Sequence, residues 1–174
     1  MGTVTRDALG AWLVRCNPST WDLAAYVAAG HHSIGTWSVR NNYRSAMMRR
    51  GDRIIFWVSG SDRTYVRGIW GIGLVTDGPE GVVNAPDDVG FWMSETGRLA
   101  VTDKVFVDIA LMEVPLTDRD LRAHGIDDLE VQRQPFGSNP SWINSRQLAR
   151  IDDLVNPSPS GSPRPPGRRV SAGE

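Results

Sequence analysis

Two apolar runs joined by a turn-forming segment constrain the fold of this 174-residue chain most strongly. The first, Arg53–Ser59, holds five consecutive apolar residues behind the turn signal Gly51-Asp52, which is typical of a buried strand. The second, Val66–Thr76, contains three glycines, and Gly60-Ser61-Asp62 between the runs is typical of a hairpin loop. Glycines within a strand pattern indicate bulges, a barrel corner or close backbone contact. We therefore expect a β-hairpin at the centre of the fold.

Further strands and helices are predicted from periodicity and from capping signals. Ala11–Cys16 is a short β-type run closed by Asn17-Pro18, and Asp103–Val114 alternates apolar and polar residues until Pro115 ends it. Two helices are expected behind capping residues, Thr20–Ala29 behind Ser19 and Asp118–His124 behind Thr117. Asn42–Arg50 can form a further helix of about two turns, and Ser145 begins a last helix that extends to about Leu154. About five or six short strands with a few short helices favour an α+β fold, a small and partly closed β-barrel flanked by helices.

The chain is expected to divide into three parts of different composition. Residues 1–10 form a flexible leader, residues 11–155 a single domain, and residues 156–174 a tail rich in Pro, Ser, Gly and Arg. The tail lacks apolar residues to bury, so we expect it to be disordered. No run resembles a signal peptide or a membrane span, which favours a cytoplasmic protein that does not bind membranes.

Composition excludes several kinds of site. A net charge of −1 provides no global attraction for nucleic acid, so any such affinity requires a local basic patch. The single cysteine, Cys16, excludes an internal disulfide and a cysteine-based zinc site. The loop pair His31-His32 has no acidic neighbour, and we predict neither a metal nor a cofactor. The 7 tryptophans exceed what packing needs, which leaves one or two for a ligand.

Aromatic and basic residues concentrate around the predicted hairpin. Trp37 precedes Arg40 and Asn41 in a segment without a strong strand pattern, so we expect its ring to be partly exposed beside hydrogen-bond donors. Flat rings near guanidinium and amide groups can stack a base, read its edge and hold its phosphate. The same residue types also build ordinary cores and surfaces, and composition alone leaves both possibilities open.

Five motifs, in order along the chain, resemble those of EVE domains. They are Trp12-Leu13-Val14-Arg15-Cys16-Asn17-Pro18, Trp37-Ser38-Val39-Arg40-Asn41, Arg50-Gly51-Asp52-Arg53-Ile54-Ile55-Phe56-Trp57, Gly68-Ile69-Trp70-Gly71-Ile72-Gly73 and Ser138-Asn139-Pro140-Ser141-Trp142. The resemblance implies a PUA-like barrel related to YTH and ASCH domains. It also implies a modified or flipped base in an aromatic-lined pocket, with modified cytosine in DNA as the ligand. Asn17 stands where family members often have Glu, and Trp57-Val58-Ser59 where they often have Tyr-His-Ser, which favours a different modification.

The predicted site follows from the residue types and from this resemblance. The base-binding residues are expected to be Asn17, Trp37, Ser38, Asn41, Trp57, Ser59 and Asn139, and the phosphate-binding residues Arg15, Arg40 and Arg44. Turn formation is the rival role for Asn17, and core packing is the rival role for Trp57. No catalytic residue is predicted, because the adjacent aspartate pairs face different ways and no Ser–His–Asp set is evident.

We expect a non-catalytic domain that is monomeric. Its predicted partner is a nucleic acid that carries a modified base in single-stranded or flipped form, with DNA favoured over RNA. Three alternatives stay open: a reader of RNA modifications, an enzyme acting on a nucleotide or metabolite on the same barrel, and a protein-interaction module. Saturable nucleobase binding without turnover would favour a reader of DNA or RNA modifications. Turnover of a nucleoside would favour the enzyme, and the absence of nucleoside binding would favour the protein-interaction module.

Overall fold

A computed structural model of the chain describes residues 3–60, 64–80, 90–94, 103–137 and 139–157. Six strands lie in this part of the chain: β1 Leu9–Cys16, β2 Ser33–Val39, β3 Arg53–Val58, β4 Gly68–Glu80, β5 Asp103–Thr117 and β6 Ser141–Asn144. The same residues include five α-helices: α1 Leu23–Ala28, α2 Tyr43–Met47, α3 Asp118–Ala123, α4 Glu130–Arg133 and α5 Ser145–Val155.

The strands form one mixed sheet in the order β2-β5-β4-β3-β1-β6. β1 runs parallel to β3, and the other neighbouring strands are antiparallel. The predicted α+β class and strand number are confirmed. The predicted barrel is seen only in part, because the edge strands β2 and β6 are not paired within the described residues. The two edges approach at one end, where Arg40 N–H donates to the Asn139 carbonyl at 2.9 Å.

The predicted central hairpin is β3–β4, and its glycines permit close backbone contact. A Cβ atom on Gly73 would lie 1.8 Å from the Asp108 carbonyl oxygen of β5. A Cβ atom on Gly71 would lie 2.7 Å from Cγ2 of Ile109, which is also on β5. No side chain fits at either position, so the sequence Gly-Ile-Gly is what lets β4 and β5 pair so closely.

Both faces of the sheet are covered, and the strand period of two decides which residues lie on which face. Phe56 packs in a cluster with Trp12 and Trp37 on the side of α1. Trp57, the next residue, packs on the opposite face against α3 and α5 through Leu121 and Ile151. Each large side chain buried in this way stabilises the fold by roughly 1.5–3 kcal/mol.

Several predicted boundaries are corrected by the structure. β5 continues beyond Pro115, because the register jumps from Leu111 to Leu116 and the proline falls in the irregular part where no ladder hydrogen bond is needed. Helix α1 begins at Leu23, where Asp22 accepts a hydrogen bond from Ala25 N–H at 2.8 Å. Strand β6 and helix α4 overlap the two ends of Gln132–Trp142, a polar stretch for which the sequence predicts irregular structure. Their interactions are with distant parts of the chain, which local patterns do not reveal.

Residues 3–10 are packed rather than flexible. Val4 is buried, and the Arg6 guanidinium binds both carboxylate oxygens of Asp52 at 2.8 and 2.6 Å. The prediction of a loose leader is therefore wrong for residues 3–10, because a buried apolar residue and an ion pair hold this segment. The predicted tail lies outside the described residues from residue 158 onward. Within the described ranges, no helix combines the length and apolarity needed to cross a membrane.

Candidate nucleic-acid interface

A cleft of about 840 Å³ opens where β1, β2 and β3 end and β4 begins. The loop that precedes β6 forms its remaining wall. The residues that line the cleft are Arg15, Asn17, Thr20, Ser38, Val39, Arg40, Ser59, Gly60, Arg67, Pro135, Phe136, Gly137 and Asn139. Three of these side chains are arginines, and none of these described residues is acidic. The cleft is therefore locally positive in a chain whose net charge is −1.

Six of the ten predicted site residues line this cleft. They are Arg15, Asn17, Ser38, Arg40, Ser59 and Asn139. Arg15, Asn17 and Ser59 stand at the carboxyl ends of β1 and β3, which are parallel neighbours in the sheet. The end of β2, which carries Ser38 and Arg40, is not a neighbour of these strands and is held beside them by hydrogen bonds to Asn139. Their presence in one cleft is a structural observation, whereas their contacts with a ligand remain predictions.

Arg15 and Arg40 provide the positive charge on the β1–β2 side. Arg15 donates to the carbonyl oxygens of Pro135, at 2.5 Å, and of Gly137. These acceptors are neutral, so the guanidinium charge is not cancelled. Burial lowers the pKa of Arg15, and the nearby charge of Arg40 lowers it further, with attraction to Glu130 opposing both. Two repelling guanidinium groups in one cleft favour the binding of an anion between them.

Asn139 joins the two edges of the sheet at the floor of the cleft. Its amide Nδ2 donates to the Ser38 carbonyl at 3.0 Å, and its Oδ1 accepts from Arg15 N–H at 3.4 Å. Its own carbonyl accepts from Arg40 N–H, and a cis peptide bond links it to Pro140. Asn139 thus fixes the relative position of Arg15, Ser38 and Arg40, and its predicted contact with a base has to coexist with these bonds.

Asn17 and Ser59 border the cleft at the ends of β1 and β3. The Oδ1 atom of Asn17 accepts from Ser19 N–H at 3.0 Å, which is the turn-forming role weighed against base binding. Ser59 donates both its N–H, at 2.8 Å, and its hydroxyl, at 3.2 Å, to the Cys16 carbonyl. Each side chain therefore has a structural bond and still faces the cleft, so a base edge remains within the reach of its other donor or acceptor.

Trp37 is less exposed than the sequence led us to expect. It lies within β2 with only 8% of its surface exposed, because its indole N–H donates to the Arg15 carbonyl at 3.2 Å and its ring packs edge-on against Phe56 and Trp21. It borders a small recess of about 20 Å³ whose other lining residues are Trp21, Ser38, Trp92 and Lys104. Ser38 lines both this recess and the cleft.

Trp57 and Asn41 are not brought to the cleft. Trp57 has no exposed surface and packs on the helix-covered face, where the Arg67 guanidinium lies 5.8 Å from its ring centroid. The strand alternation that turns Phe56 towards Trp37 necessarily turns Trp57 away. Asn41 is exposed beyond the end of β2 but is not among the cleft-lining residues. Neither position supports the predicted contact with a base in this cleft.

The prediction that Arg44 binds phosphate is contradicted by its surroundings. Its guanidinium is buried and forms two bonds of 2.8 Å with the carboxylate of Glu130. The hydrogen bond to Glu130 raises the pKa of Arg44 against the opposing effect of burial. A paired and buried guanidinium offers neither free charge nor access to a phosphate. Arg44 and Glu130 therefore hold the fold together, and we call them the framework pair.

Two cleft residues were missed by the sequence interpretation. Phe136 is 97% exposed and forms part of the cleft lining. Arg67 lines the cleft while its Nη2 donates to the Val131 carbonyl at 3.1 Å. The available signal for Phe136 was its place between Pro135 and Gly137, since a Pro-X-Gly sequence in a polar segment predicts an exposed turn.

Catalysis in this cleft would require an activated nucleophile or a bound metal ion. Cys16 is buried, and burial raises the pKa of its thiol, so the sulfur is held in the unreactive neutral form. Within the described ranges, no three His, Cys, Asp or Glu side chains are grouped in a way that could hold a metal ion. The lining residues instead offer hydrogen bonds, positive charge and one exposed ring.

Known proteins share this fold. A family model described as EVE domain matches residues 10–151, a span that contains every residue lining the cleft. The chain is similar to a hypothetical protein from Leishmania major, at 18% identity and a TM-score of 0.58, over 86% of this chain and 96% of that one. It is also similar to the NMR structure of a Rhodopseudomonas palustris protein, at 19% identity and a TM-score of 0.53, over 85% and 96% of the two chains.

A third similar structure is a crystal structure of a Pseudomonas syringae protein, at 18% identity and a TM-score of 0.51. It covers 83% of this chain and 98% of its own. At these identities the three structures show the fold alone. No curated protein matches the chain.

Proposed function

This chain belongs to the EVE domain family, and from that premise we propose that it is a non-catalytic module that recognises a modified nucleobase in nucleic acid. The family points to a PUA-like nucleic-acid-binding module, and it confirms the resemblance carried by the five sequence motifs. Within that class we propose modified cytosine in DNA as the preferred ligand, ahead of RNA, and a monomer as the binding unit.

The observation that carries the proposal is the charge of the cleft. Arg15, Arg40 and Arg67 line it without any acidic side chain among its described lining residues. Arg67 is partly neutralised, because its Nε lies 3.8 Å from the Asp118 carboxylate. Among the described residues, Arg15 and Arg40 form no ion pair with a carboxylate, in contrast to Arg44 with Glu130 and Arg53 with Asp152. A concave basic surface on a chain without net positive charge is suited to a local anion such as the phosphate of a nucleotide.

The polar groups between the arginines suit the edge of a base. Ser38, Ser59 and Asn17 present hydroxyl and amide groups along one side of the cleft. A volume of about 840 Å³ is within the range of pockets that enclose a small ligand, and it accommodates a nucleotide. In this arrangement the arginines hold the sugar–phosphate backbone, and the shorter side chains read donors and acceptors on the base.

The recess beside Ser38 supports recognition of a modification. The rings of Trp21, Trp37 and Trp92 line a space of about 20 Å³, which is too small for a base but suits a single small substituent. The rings can pack against such a substituent, and Ser38 and Lys104 add polar groups to the same lining. A base seated along Ser38 would direct one edge towards this space.

A binding comparison between matched strands tests the proposal. Fluorescence anisotropy is measured with short single-stranded DNA that contains one 5-methylcytosine, with the same strand unmodified, and with the RNA equivalents of both. We expect saturable binding with the modified DNA strand tightest. We also expect no chemical change in any strand after prolonged incubation, checked by mass spectrometry.

Three results would contradict the whole proposal or part of it. Failure of all four strands to bind would exclude a nucleic-acid-binding role for the cleft. Consumption of a strand or release of a base would replace the reader with an enzyme on the same fold. Equal binding of modified and unmodified strands would contradict recognition of a modified base and would leave only a general role in nucleic-acid binding.

A further inference from the structure

We propose that Phe136 is a stacking platform for a second nucleobase, adjacent to the base read in the cleft, so that the site binds a single strand rather than an isolated nucleotide. The inference rests on the proposed function and deepens it by naming the form of nucleic acid that the site takes. It is carried by the exposure of Phe136, by the rigidity of its turn and by its place at the cleft.

The ring of Phe136 has no packing role in the protein. It is 97% exposed, the highest value among the exposed large hydrophobic side chains of the described chain. Val114, the next, is 79% exposed. Isolated apolar side chains on a surface need no explanation, but Phe136 is not isolated from the cleft, because it forms part of its lining. A ring that contributes nothing to the core and borders a basic cleft is placed for a ligand.

The turn that carries Phe136 is held in a fixed position. Gly137 N–H donates to the Gln134 carbonyl at 2.9 Å, which closes a four-residue turn with Pro135 at its second position. Proline fixes φ at the value that this position requires. The Arg15 guanidinium then binds the carbonyl oxygens of Pro135 and Gly137, the residues on either side of Phe136. The backbone is thus anchored on both sides of the exposed ring.

This anchoring reduces the entropy lost when a base stacks on the ring. The backbone of Phe136 is already ordered, and its side chain has only two rotatable bonds. A nucleobase stacked on an aromatic ring gains roughly 1–3 kcal/mol, whatever the identity of the base. The platform therefore provides affinity without sequence preference, and the reading of one particular base is left to the cleft.

The neighbouring charges favour a strand as the occupant. Arg15 anchors the turn at one side of the cleft, and Arg40 and Arg67 line the same space. A strand that places one base in the cleft and the next on Phe136 brings the phosphate between them to these arginines. In a duplex, adjacent bases already stack on each other, so the ring would have to unstack them at a cost of a few kcal/mol. A single strand has its base faces available.

The experiment compares Phe136→Ala with Val114→Ala, a matched control on an exposed apolar residue outside the cleft. Affinities are measured for a short single strand with one 5-methylcytosine and for 5-methyldeoxycytidine monophosphate. We expect Phe136→Ala to weaken strand binding roughly 5- to 100-fold, the equivalent of the stacking contribution. It should weaken mononucleotide binding much less than strand binding, and Val114→Ala should change neither.

Two further variants separate stacking from apolar contact. Phe136→Tyr keeps a flat ring and should retain strand affinity, whereas Phe136→Leu keeps an apolar side chain and should lose most of it. Because the ring is almost fully exposed, all of these variants are expected to unfold at the wild-type denaturant concentration, which is checked first.

The inference is overturned if Phe136→Ala binds the strand as the wild type does, or if Phe136→Leu retains full affinity. It is also overturned if mononucleotide affinity falls as much as strand affinity, because the ring would then belong to the base pocket itself. If the protein binds a duplex more tightly than the single strand, and if Phe136→Ala abolishes this preference, the ring is inserted between base pairs and does not stack on a single strand. A wild-type protein that binds no strand would refute the proposed function, an outcome distinct from each of these.

Discussion

Arg40 and Arg44 lie four residues apart in the chain, yet they have opposite surroundings. Arg40 is exposed at the cleft and, within the described residues, its side chain has no carboxylate partner. Arg44 is 4% exposed and forms a two-bond ion pair with Glu130. The comparison teaches that a basic residue becomes available to a phosphate only where the fold places no acid against it.

The local structure explains how the two arginines separate. Arg40 follows the last residue of β2, and its backbone N–H is held by Asn139 at the floor of the cleft. Asn42 then caps α2 by accepting from Arg44 N–H at 2.9 Å and Ser45 N–H at 3.1 Å, which turns the chain. The turn directs Arg44 towards Glu130, the first residue of α4, so one short segment supplies both a ligand contact and a framework contact.

The largest expected effect comes from breaking the framework pair. Arg44→Ala should lower the free energy of unfolding by roughly 3–5 kcal/mol, because it leaves the Glu130 carboxylate partly buried without its partner. The measurement is urea unfolding followed by tryptophan fluorescence. Arg53→Ala is the matched control, since the Arg53–Asp152 pair is 36% exposed on both sides and should cost no more than about 1 kcal/mol.

Equal losses from the two variants would mean that burial does not distinguish the pairs. In that case the contrast between Arg40 and Arg44 would lose its energetic basis. A second check is the double variant Arg44→Met with Glu130→Leu. Because it leaves no charge unpaired, it should be more stable than either single replacement.

The sequence allowed part of this contrast to be predicted. Asn17 and Ser59 follow strands that the sequence predicts, and these strands are neighbours in the sheet. Arg40 was identified from its residue type and its motif, because the segment before it has no strong strand pattern. The partner of Arg44 was not predictable, because Glu130 lies 86 positions away and only tertiary packing brings the two together. A local pattern identifies a charged residue and its secondary structure, but not the distant residue that it faces.

The burial of the tryptophans also depends on distant residues that local sequence patterns do not reveal. Trp57 stands in an apolar run and Trp37 stands between Thr36 and Ser38, yet both rings are buried, in clusters on opposite faces of the sheet. The fold class was predicted because hairpin signals and glycine spacing are local. The exposure of Trp37 was not, because Trp21 and Phe56 cover its ring from other elements.

Acid should weaken the framework pair and leave the cleft arginines charged. Burial tends to raise the pKa of Glu130, but the hydrogen bonds from Arg44 and Ser141 outweigh it and the pKa lies below its ordinary value of 4.5. A carboxyl whose pKa is lower in the folded state contributes stability that is fully present above its unfolded pKa and is lost as pH falls through its folded pKa. The free energy of unfolding should therefore decline below about pH 4.5.

Glu130→Gln isolates the contribution of this carboxyl. The variant is less stable at neutral pH, and its stability should fall less between pH 7 and pH 3 than that of the wild type, as followed by urea unfolding at each pH. Some decline should remain, because the pKa of Asp52 also lies below its ordinary value. Burial is the largest single influence on this pKa and raises it, but the hydrogen bonds from Arg6, Trp12 and Arg49 together outweigh burial. Parallel pH profiles for the variant and the wild type would show that Glu130 contributes nothing to acid sensitivity.

The smallest effect on stability should come from Arg40, and it should be accompanied by a change in salt dependence. Arg40→Ala removes an exposed side chain without a carboxylate partner among the described residues, so its stability should stay within about 0.5 kcal/mol of wild type. If Arg40 contacts one phosphate of a single strand, the slope of log affinity against log salt should shrink by about 0.7. Arg50→Ala, on an exposed arginine outside the cleft, is the control and should keep the wild-type slope. An unchanged slope in Arg40→Ala, or the same change in both variants, would place the phosphate contact elsewhere. Arg40 and Arg44 would then differ in their surroundings but not in phosphate binding.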